Sequence, residues 1–175
     1  SVGIVNGINA FHRYRFTVNG KAGHAGTVPM GMRQDAGIVM AHVMTFIRKI
    51  ADNTEDLVAT VGKIQLEPGA INGIPDKEVF SLDIRAPREE IITHAVDEID
   101  RKLEVLSKSD GLTYPIEQLA RGDACQCDDK VKELIHESVE ENGMKPIYLN
   151  SGAGHDAQEV SRIANVGMLF ARCRE

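Results

Sequence analysis

The stretch "EVFSLDIRA", residues 78–86, alternates without a break, with Phe80, Leu82 and Ile84 on one side and Val79, Ser81, Asp83 and Arg85 on the other. A period of two marks a strand that has one face in a core and one face outside it. Upstream, "LVATVGKIQLEPG", 57–69, reads as a second long strand, joined to the first by the loop "EPGAINGIPDK". Before it, Ile38, Val39, Val43, Met44, Phe46, Ile47 and Ile50 recur at helical spacing, and Asp35 is placed to cap the start of a core-facing helix. Farther back, "AFHRYRFTV", 10–18, alternates again, with Tyr14, Phe16 and Val18 on one side.

Downstream, Pro87 opens a helix whose stripe is Ile91, Ile92, Ala95, Val96, Ile99, Leu103 and Leu106, stopping near "SDG". "LTYPIEQLA", 112–120, closes the unit as a strand that contains Pro115. The order strand, helix, strand, strand, helix, strand predicts an α+β fold, a ferredoxin-like two-layer sandwich of one antiparallel sheet backed by two helices. Its first and third strands are central and its second and fourth are edges. Pro115 suits an edge, where a missing N–H breaks no ladder bond. The opposite edge, 57–67, is long, mostly apolar and free of proline, with only Lys63 charged in its middle. Such an edge is a pairing template, so we expect a homodimer in which it meets its symmetry mate.

After residue 121 the pattern changes. "DDKVKELIHESVEENG" is an amphipathic helix with a glycine stop and carboxylates at its start, "KPIYLN" a short strand, "HDAQEVSRIAN" a helix and "VGMLFARC" an apolar strand. Two strands and two helices cannot cover both faces of a parallel sheet. "SVGIVNGI" at the other end reads as a further strand, so the sandwich is expected to be inserted into a larger, incomplete α/β domain.

Twenty Lys and Arg against 26 Asp and Glu leave a net charge of −6 with no basic block, which argues against nucleic acid as a partner. No apolar run reaches the roughly 18–20 residues that span a bilayer, and "SVGIVNGINA" lacks the charged start of a signal peptide. A cytoplasmic protein without a membrane partner is expected. Cys125, Cys127 and Cys173 are odd in number, against a disulfide framework. The Cys-x-Cys spacing is not that of a structural zinc knuckle, so these read as loop thiols in a reducing compartment.

Three places hold polar groups that folding alone does not require. In "NGKAGHAGTVPMGMRQDAG", 19–37, His24 stands among small residues, free to project as a proton carrier, donor or metal ligand. The plainer alternative is a histidine that satisfies loop carbonyls. Arg85 ends the outward row of its strand, with Asn72 in the preceding loop. An arginine there can grip a carboxylate through two parallel N–H bonds, or it can simply pair with Asp83 or Glu90. In "LNSGAGHDAQE", 149–159, Gly152 and Gly154 free the backbone N–H groups to face a ligand, beside His155 and a helix start. Plain capping by Asp156 or Ser151 is the alternative there. His12, His42, His94 and His136 lie inside periodic segments and read as packing or surface residues. Gly-x-Ser-x-Gly, His-Glu-x-x-His and phosphate-loop motifs are absent.

In that order, "HAGTVPMGMRQDA", "EPGAINGIPDKEVFSLDIRAP" and "SGAGHDA" resemble the metal-dependent amidohydrolases of the M20 peptidase superfamily, within it the allantoate amidohydrolase and N-carbamoyl-L-amino acid hydrolase group. "VGMLFARC" also resembles the allantoate enzymes. The resemblance implies a lid at 8–120 that dimerises through a strand edge and a helix. It implies that 1–7 and 121–175 are pieces of an aminopeptidase-like catalytic domain. It implies that His24 enters the partner's site and donates to the oxygen where negative charge develops, that Arg85 binds the substrate carboxylate with Asn72 beside it, and that Gly152, Gly154 and His155 line the same pocket. The substrate would be a ureido or carbamoyl carboxylate, and the complete enzyme would use two divalent metals (Zn, Mn, Co or Ni). None is expected in these 175 residues, because the family's ligands and general-base glutamate come from outside them. The alternatives are an M20 aminoacylase or dipeptidase, and a non-catalytic dimerisation or ligand-binding module.

Overall fold

The computed structural model describes residues 2–172, so Cys173 lies outside the described residues. Its strands are β1 (Val2–Ile8), β2 (Ala10–Asn19), β3 (Gly23–His24), β4 (Val58–Glu67), β5 (Gly73–Ile74), β6 (Lys77–Ala86), β7 (Ile116–Gly122), β8 (Cys125–Gln126), β9 (Ile147–Ser151) and β10 (Leu169–Ala171). The α-helices are α1 (Ala36–Asn53), α2 (Glu89–Asp110), α3 (Asp129–Glu141) and α4 (Asp156–Val160). The chain divides into two compact units, one of residues 12–84 and 90–121, the other of the chain up to Phe11, Arg85–Glu89 and the chain from Gly122 onward.

In the first unit the four-stranded sheet has the order β4-β6-β2-β7, which puts its first and third strands in chain order, β2 and β6, at the centre. The alternation of β6 buries Glu78, Phe80, Leu82 and Ile84 and leaves the residues between them half-buried. Phe16 of β2 stacks on Phe80 of the neighbouring β6, ring centroids 4.6 Å apart and planes 7° from parallel, a cross-strand aromatic pair that ties the two central strands together. Asp35 caps α1 by accepting from the Gly37 and Ile38 amides at 3.0 and 3.3 Å. Ala36, Val39, Met40, Val43, Ile47 and Ile50 are its buried stripe. Ile38, expected in the core, is 54% exposed, because it falls off the i, i+3, i+4, i+7 line those residues define. α2 buries Ile92, Ala95, Ile99, Leu103 and Ser107 and ends at Gly111, whose φ of +68° glycine adopts without a Cβ penalty.

Two strand limits differ from the sequence reading. β4 stops at Glu67. β7 starts at Ile116, so Pro115 lies just before it rather than within it. Proline has a carbonyl but no N–H, and only the carbonyl is used: Pro115 O accepts from Thr17 N at 3.0 Å, while Asn19 and Thr113 form an antiparallel bridge. β4 ends the sheet on the other side, with Val58, Ile64 and Leu66 exposed.

In the second unit β1 is the organising strand. It pairs parallel with β9 and antiparallel with β10, and its end pairs antiparallel with β8. Ile4, Val5 and Ile8 are accordingly buried. This sheet has four strands. Three of them, β1, β9 and β10, fall on the segments read as strands, and the addition is β8, a two-residue strand at Cys125 too short to leave a periodic trace. Cys125 therefore lies in a strand rather than a loop, Cys127 lies in the connection that follows it, and both are buried free thiols; burial pushes the Cys127 thiol up. "HDAQEVSRIAN" is helical only over Asp156–Val160, and "VGMLFARC" is extended in β10 over Leu169–Ala171. Among the described residues no helix is long and apolar enough to cross a membrane.

Candidate functional site

The β1–β9 register shifts between Val5 and Ile8, so that Ser151 comes opposite Ile8 and its carbonyl accepts from Asn9 N at 2.8 Å. The chain therefore leaves β9 from a fixed point into the turn Gly152-Ala153-Gly154. Ser151 is buried, and its hydroxyl braces that turn, within 3.0 Å of Ala153 O, 3.3 Å of Ala153 N and 2.8 Å of His155 Nε2. His155 is the N-cap of α4 but makes no side-chain cap bond. Neither Asp156 nor Ser151 caps the helix, and the imidazole packs instead at 5.6 Å from the Phe170 ring. Arg85, at the end of β6, donates from Nη1 to Gly152 O at 2.8 Å and lies 5.9 Å from the Phe11 ring centroid. Arg85, Gly152 and His155 are thus drawn to one turn of the second unit.

A Cβ added to Gly152 would meet nothing within 4 Å, and one on Gly154 would make only ordinary contact with Gln158. Neither glycine is demanded by this chain's own packing. The open space at Gly152 adjoins the Arg85 guanidinium, a group that can bind a carboxylate through two N–H bonds.

His24 and Asn72 are brought together in the first unit. β3 pairs antiparallel with β5, His24 opposite Gly73, and Ala25 N donates to Asn72 O at 2.9 Å. Both side chains belong to exposed residues. The Gly26 amide donates to His24 Nδ1 at 3.0 Å. A backbone N–H can only donate, so Nδ1 is the lone-pair nitrogen, and the neutral ring carries its proton on Nε2. Thr27 N and Val28 N both donate to His24 O at 3.2 Å, which closes the loop behind the ring. The ring therefore does not serve loop carbonyls: it takes one amide N–H and presents one N–H of its own.

Sequence reasoning passed over two further residues of the first unit, Arg33 and Glu78. Arg33 bonds Ala25 O at 2.6 Å from Nη2 and Val28 O at 3.1 Å from Nε. Its only signal in the sequence was an arginine within the same glycine-rich segment as His24. Glu78 is buried at 3% exposure with Oε2 unpartnered, and burial first, then the Asp35 charge, pushes its carboxyl up to about 7. The break in polarity at the start of the β6 apolar row could have marked it.

Among the described residues no group of three or more His, Cys, Asp and Glu side chains could hold a metal ion. The described residues thus do not by themselves supply the metal pair that the sequence resemblance implies for the complete enzyme.

Residues 6–111 match the M20_dimer family, described as the peptidase dimerisation domain. The N-carbamoyl-L-amino-acid amidohydrolase of Pseudomonas sp. (strain NS671) is 35% identical over 175 residues, spanning 99% of this chain and 42% of that protein. The allantoate deiminase of Arabidopsis thaliana is 31% identical over 201 residues, 99% of this chain and 38% of that protein. A crystal structure of an amidase of the hydantoinase/carbamoylase family from Burkholderia multivorans superimposes with a TM-score of 0.90 at 28% identity, covering 97% of this chain and 41% of that one. The chain thus spans about two fifths of the length of the proteins it matches. With the model matched over most of its length and the backbone shared with an amidase of the hydantoinase/carbamoylase group, this chain belongs to the M20 peptidase dimerisation-domain family.

Proposed function

We propose that this chain is the lid and an adjoining part of the catalytic domain of a hydrolase that cleaves linear, non-peptide C–N bonds in a ureido carboxylate, an N-carbamoyl-L-amino acid or allantoate. The reading takes residues 8–120 as a ferredoxin-like lid, supported by the β4-β6-β2-β7 strand order. It takes 1–7 and 121–175 as parts of the catalytic domain, supported by the β1-centred sheet. The observation that carries it is the state of His24: an exposed imidazole on a braced loop, held with Nε2–H outward by the Gly26 amide.

A fixed neutral N–H donor is what an oxygen needs as it gains negative charge during attack on a carbamoyl or amide carbon. It costs no reorganisation at the moment of reaction. Arg85 supplies the charge that binds the substrate carboxylate, its guanidinium oriented by the Gly152 carbonyl. Asn72 has the role of orienting a polar group of the substrate, and Gly152, Gly154 and His155 that of lining its pocket, a reading supported by the Arg85–Gly152 bond. Two divalent metals belong to the proposal at the level of the whole enzyme. A homodimer belongs to it as well, supported by the match to a dimerisation domain and by the exposed apolar edge of β4, with His24 of one copy serving the site of the other. A reducing, cytoplasmic setting is supported by the buried free thiols Cys125 and Cys127.

The test is turnover by a protein of the relatives' full length that contains these residues, measured on N-carbamoyl-L-amino acids, allantoate, N-acyl amino acids and dipeptides, with metal content determined on the same samples. Ammonia release from either ureido class supports the proposal. Activity confined to N-acyl amino acids or dipeptides would replace it with the aminoacylase or dipeptidase reading.

A further inference from the structure

We infer that Arg33 is a positioning residue that sets the tautomer of His24, an inference that rests on the donor role proposed above. The five residues 24–28 turn so tightly that the carbonyl of His24 receives both Thr27 N and Val28 N at 3.2 Å. That turn leaves the carbonyls of Ala25 and Val28 without the ladder partners a strand would provide, and Arg33 takes both, at 2.6 and 3.1 Å. A planar guanidinium spans two carbonyls with fixed spacing, which an ammonium on a flexible stem cannot do. Its effect is to tie the Ala25–Gly26 peptide plane, which carries the Gly26 N–H, to the Val28 carbonyl at the far end of the turn, and so to aim the Gly26 N–H at His24 Nδ1 over 3.0 Å.

Gly26 itself fits the same purpose. A Cβ at that position would stand 3.3 Å from His24 Cε1 and 3.5 Å from Nδ1, so that the ring would have to give by a few tenths of an ångström. The chain of causation runs from Arg33 through two carbonyls to one amide, and from that amide to the placement of a proton on Nε2. Loss of the clamp frees the Gly26 peptide, and with it the choice of which ring nitrogen carries the proton.

The experiment is nitrogen-15 NMR of the histidine side chains in this chain, labelled on the ring nitrogens and recorded at a pH where the imidazoles are neutral, for the wild type, Arg33→Ala, Arg33→Lys and Gly26→Ala. In the wild type His24 is expected almost wholly as the Nε2–H form. Arg33→Ala and Gly26→Ala should raise its Nδ1–H population several-fold, with His12 and His136 unchanged as internal controls for folding. Arg33→Lys should lie between, and millimolar guanidinium ion should move Arg33→Ala back toward the wild type. A wild-type His24 in the Nδ1–H form, or one whose tautomer ratio ignores both Arg33 and Gly26, would overturn the inference. In the active protein, Arg33→Ala should cost on the order of 100-fold in kcat with KM nearly unchanged, the scale of a displacement of about 1 Å at a reacting group. An equal loss in kcat for Arg33→Lys with guanidinium unable to restore it would count against positioning. The NMR result does not depend on turnover, so failure of the hydrolase reading and failure of this one are separately visible.

Discussion

The guanidinium of Arg85 donates from Nη1 to the carbonyl oxygen of Gly152, 67 residues away in the chain, over 2.8 Å. One bond therefore joins the end of a strand to the apex of a glycine turn, and fixes the direction in which the rest of the guanidinium points. Arg85→Lys keeps the charge but loses the rigid fork. On the proposed function it should raise KM for carboxylate substrates by on the order of 10–100-fold, the range expected for one charge-assisted pair, with a smaller change in kcat. Steady-state kinetics with a carboxylate substrate and its amide analogue check this: equal losses on both would remove Arg85 from carboxylate recognition.

His24→Ala separates chemistry from folding. The residue is exposed, and exposed substitutions usually move stability by no more than about 0.5 kcal/mol. Removal of an oxyanion donor typically costs on the order of 100–1,000-fold in kcat. We expect that loss together with an unchanged urea midpoint. Full activity in the variant would end the donor role.

Glu78 gives a pH dependence of stability whose sign is determined. Its ordinary value is 4.5 and its folded value about 7, so between the two the unfolded chain holds fewer protons than the folded one. Stability then falls as pH rises from 4.5 and levels off above about 7. At about 1.36 kcal/mol per pH unit the total loss is at most on the order of 3 kcal/mol. Glu78→Gln, neutral at every pH, should match the wild type in mildly acidic solution and exceed it in mildly alkaline solution. Urea unfolding at both ends of the range checks this, and parallel curves for the two proteins would show that Glu78 is not the source.

Asp35 contributes in two ways that one substitution can separate. It caps α1 through the Gly37 and Ile38 amides, and its charge helps to hold the Glu78 carboxyl up. Asparagine caps about as well as aspartate, so Asp35→Asn should leave stability in acid little changed while lowering the pH at which Glu78 titrates. Asp35→Ala should add a cap loss of about 1 kcal/mol at all pH values. Carbon-13 NMR of the Glu78 carboxyl, alongside thermal melts, distinguishes the two contributions.

The β4 edge is tested by charge. Ile64 is 47% exposed on the outermost strand of its sheet. If two copies join there, Ile64→Lys places like charges near the twofold, and should weaken the dimer by on the order of 100-fold, a cost of a few kcal/mol. Light scattering across a dilution series reads it directly. An unaffected dimer would move the interface elsewhere.

Local periodicity was enough to place β2, α1, β4, β6 and α2 and to anticipate which strands lie inside the first sheet, because each buries one face and a period of 2 or 3.6 survives in a single sequence. The second sheet was only partly legible. β8 has two residues, too few to show a period, so buried Cys125 looked like a loop residue. Ile38 was misplaced because an apolar residue at the first turn of a helix fits a helical stripe by composition even when it lies off the buried line.

A solitary histidine among glycines, an arginine at a strand end and a glycine turn before a helix were visible as residues worth attention. That much the amino-acid order determined alone, since it fixes which chemistry is available and which side of a strand carries it. What only the tertiary structure decided is how those groups are held. Bonds such as Gly26 N–H to His24 Nδ1, Arg33 to two carbonyls and Arg85 to Gly152 depend on turn geometry and long-range register. Neither leaves a periodic mark in the order of residues, because a hydrogen bond is set by where the backbone goes and by no single position along it.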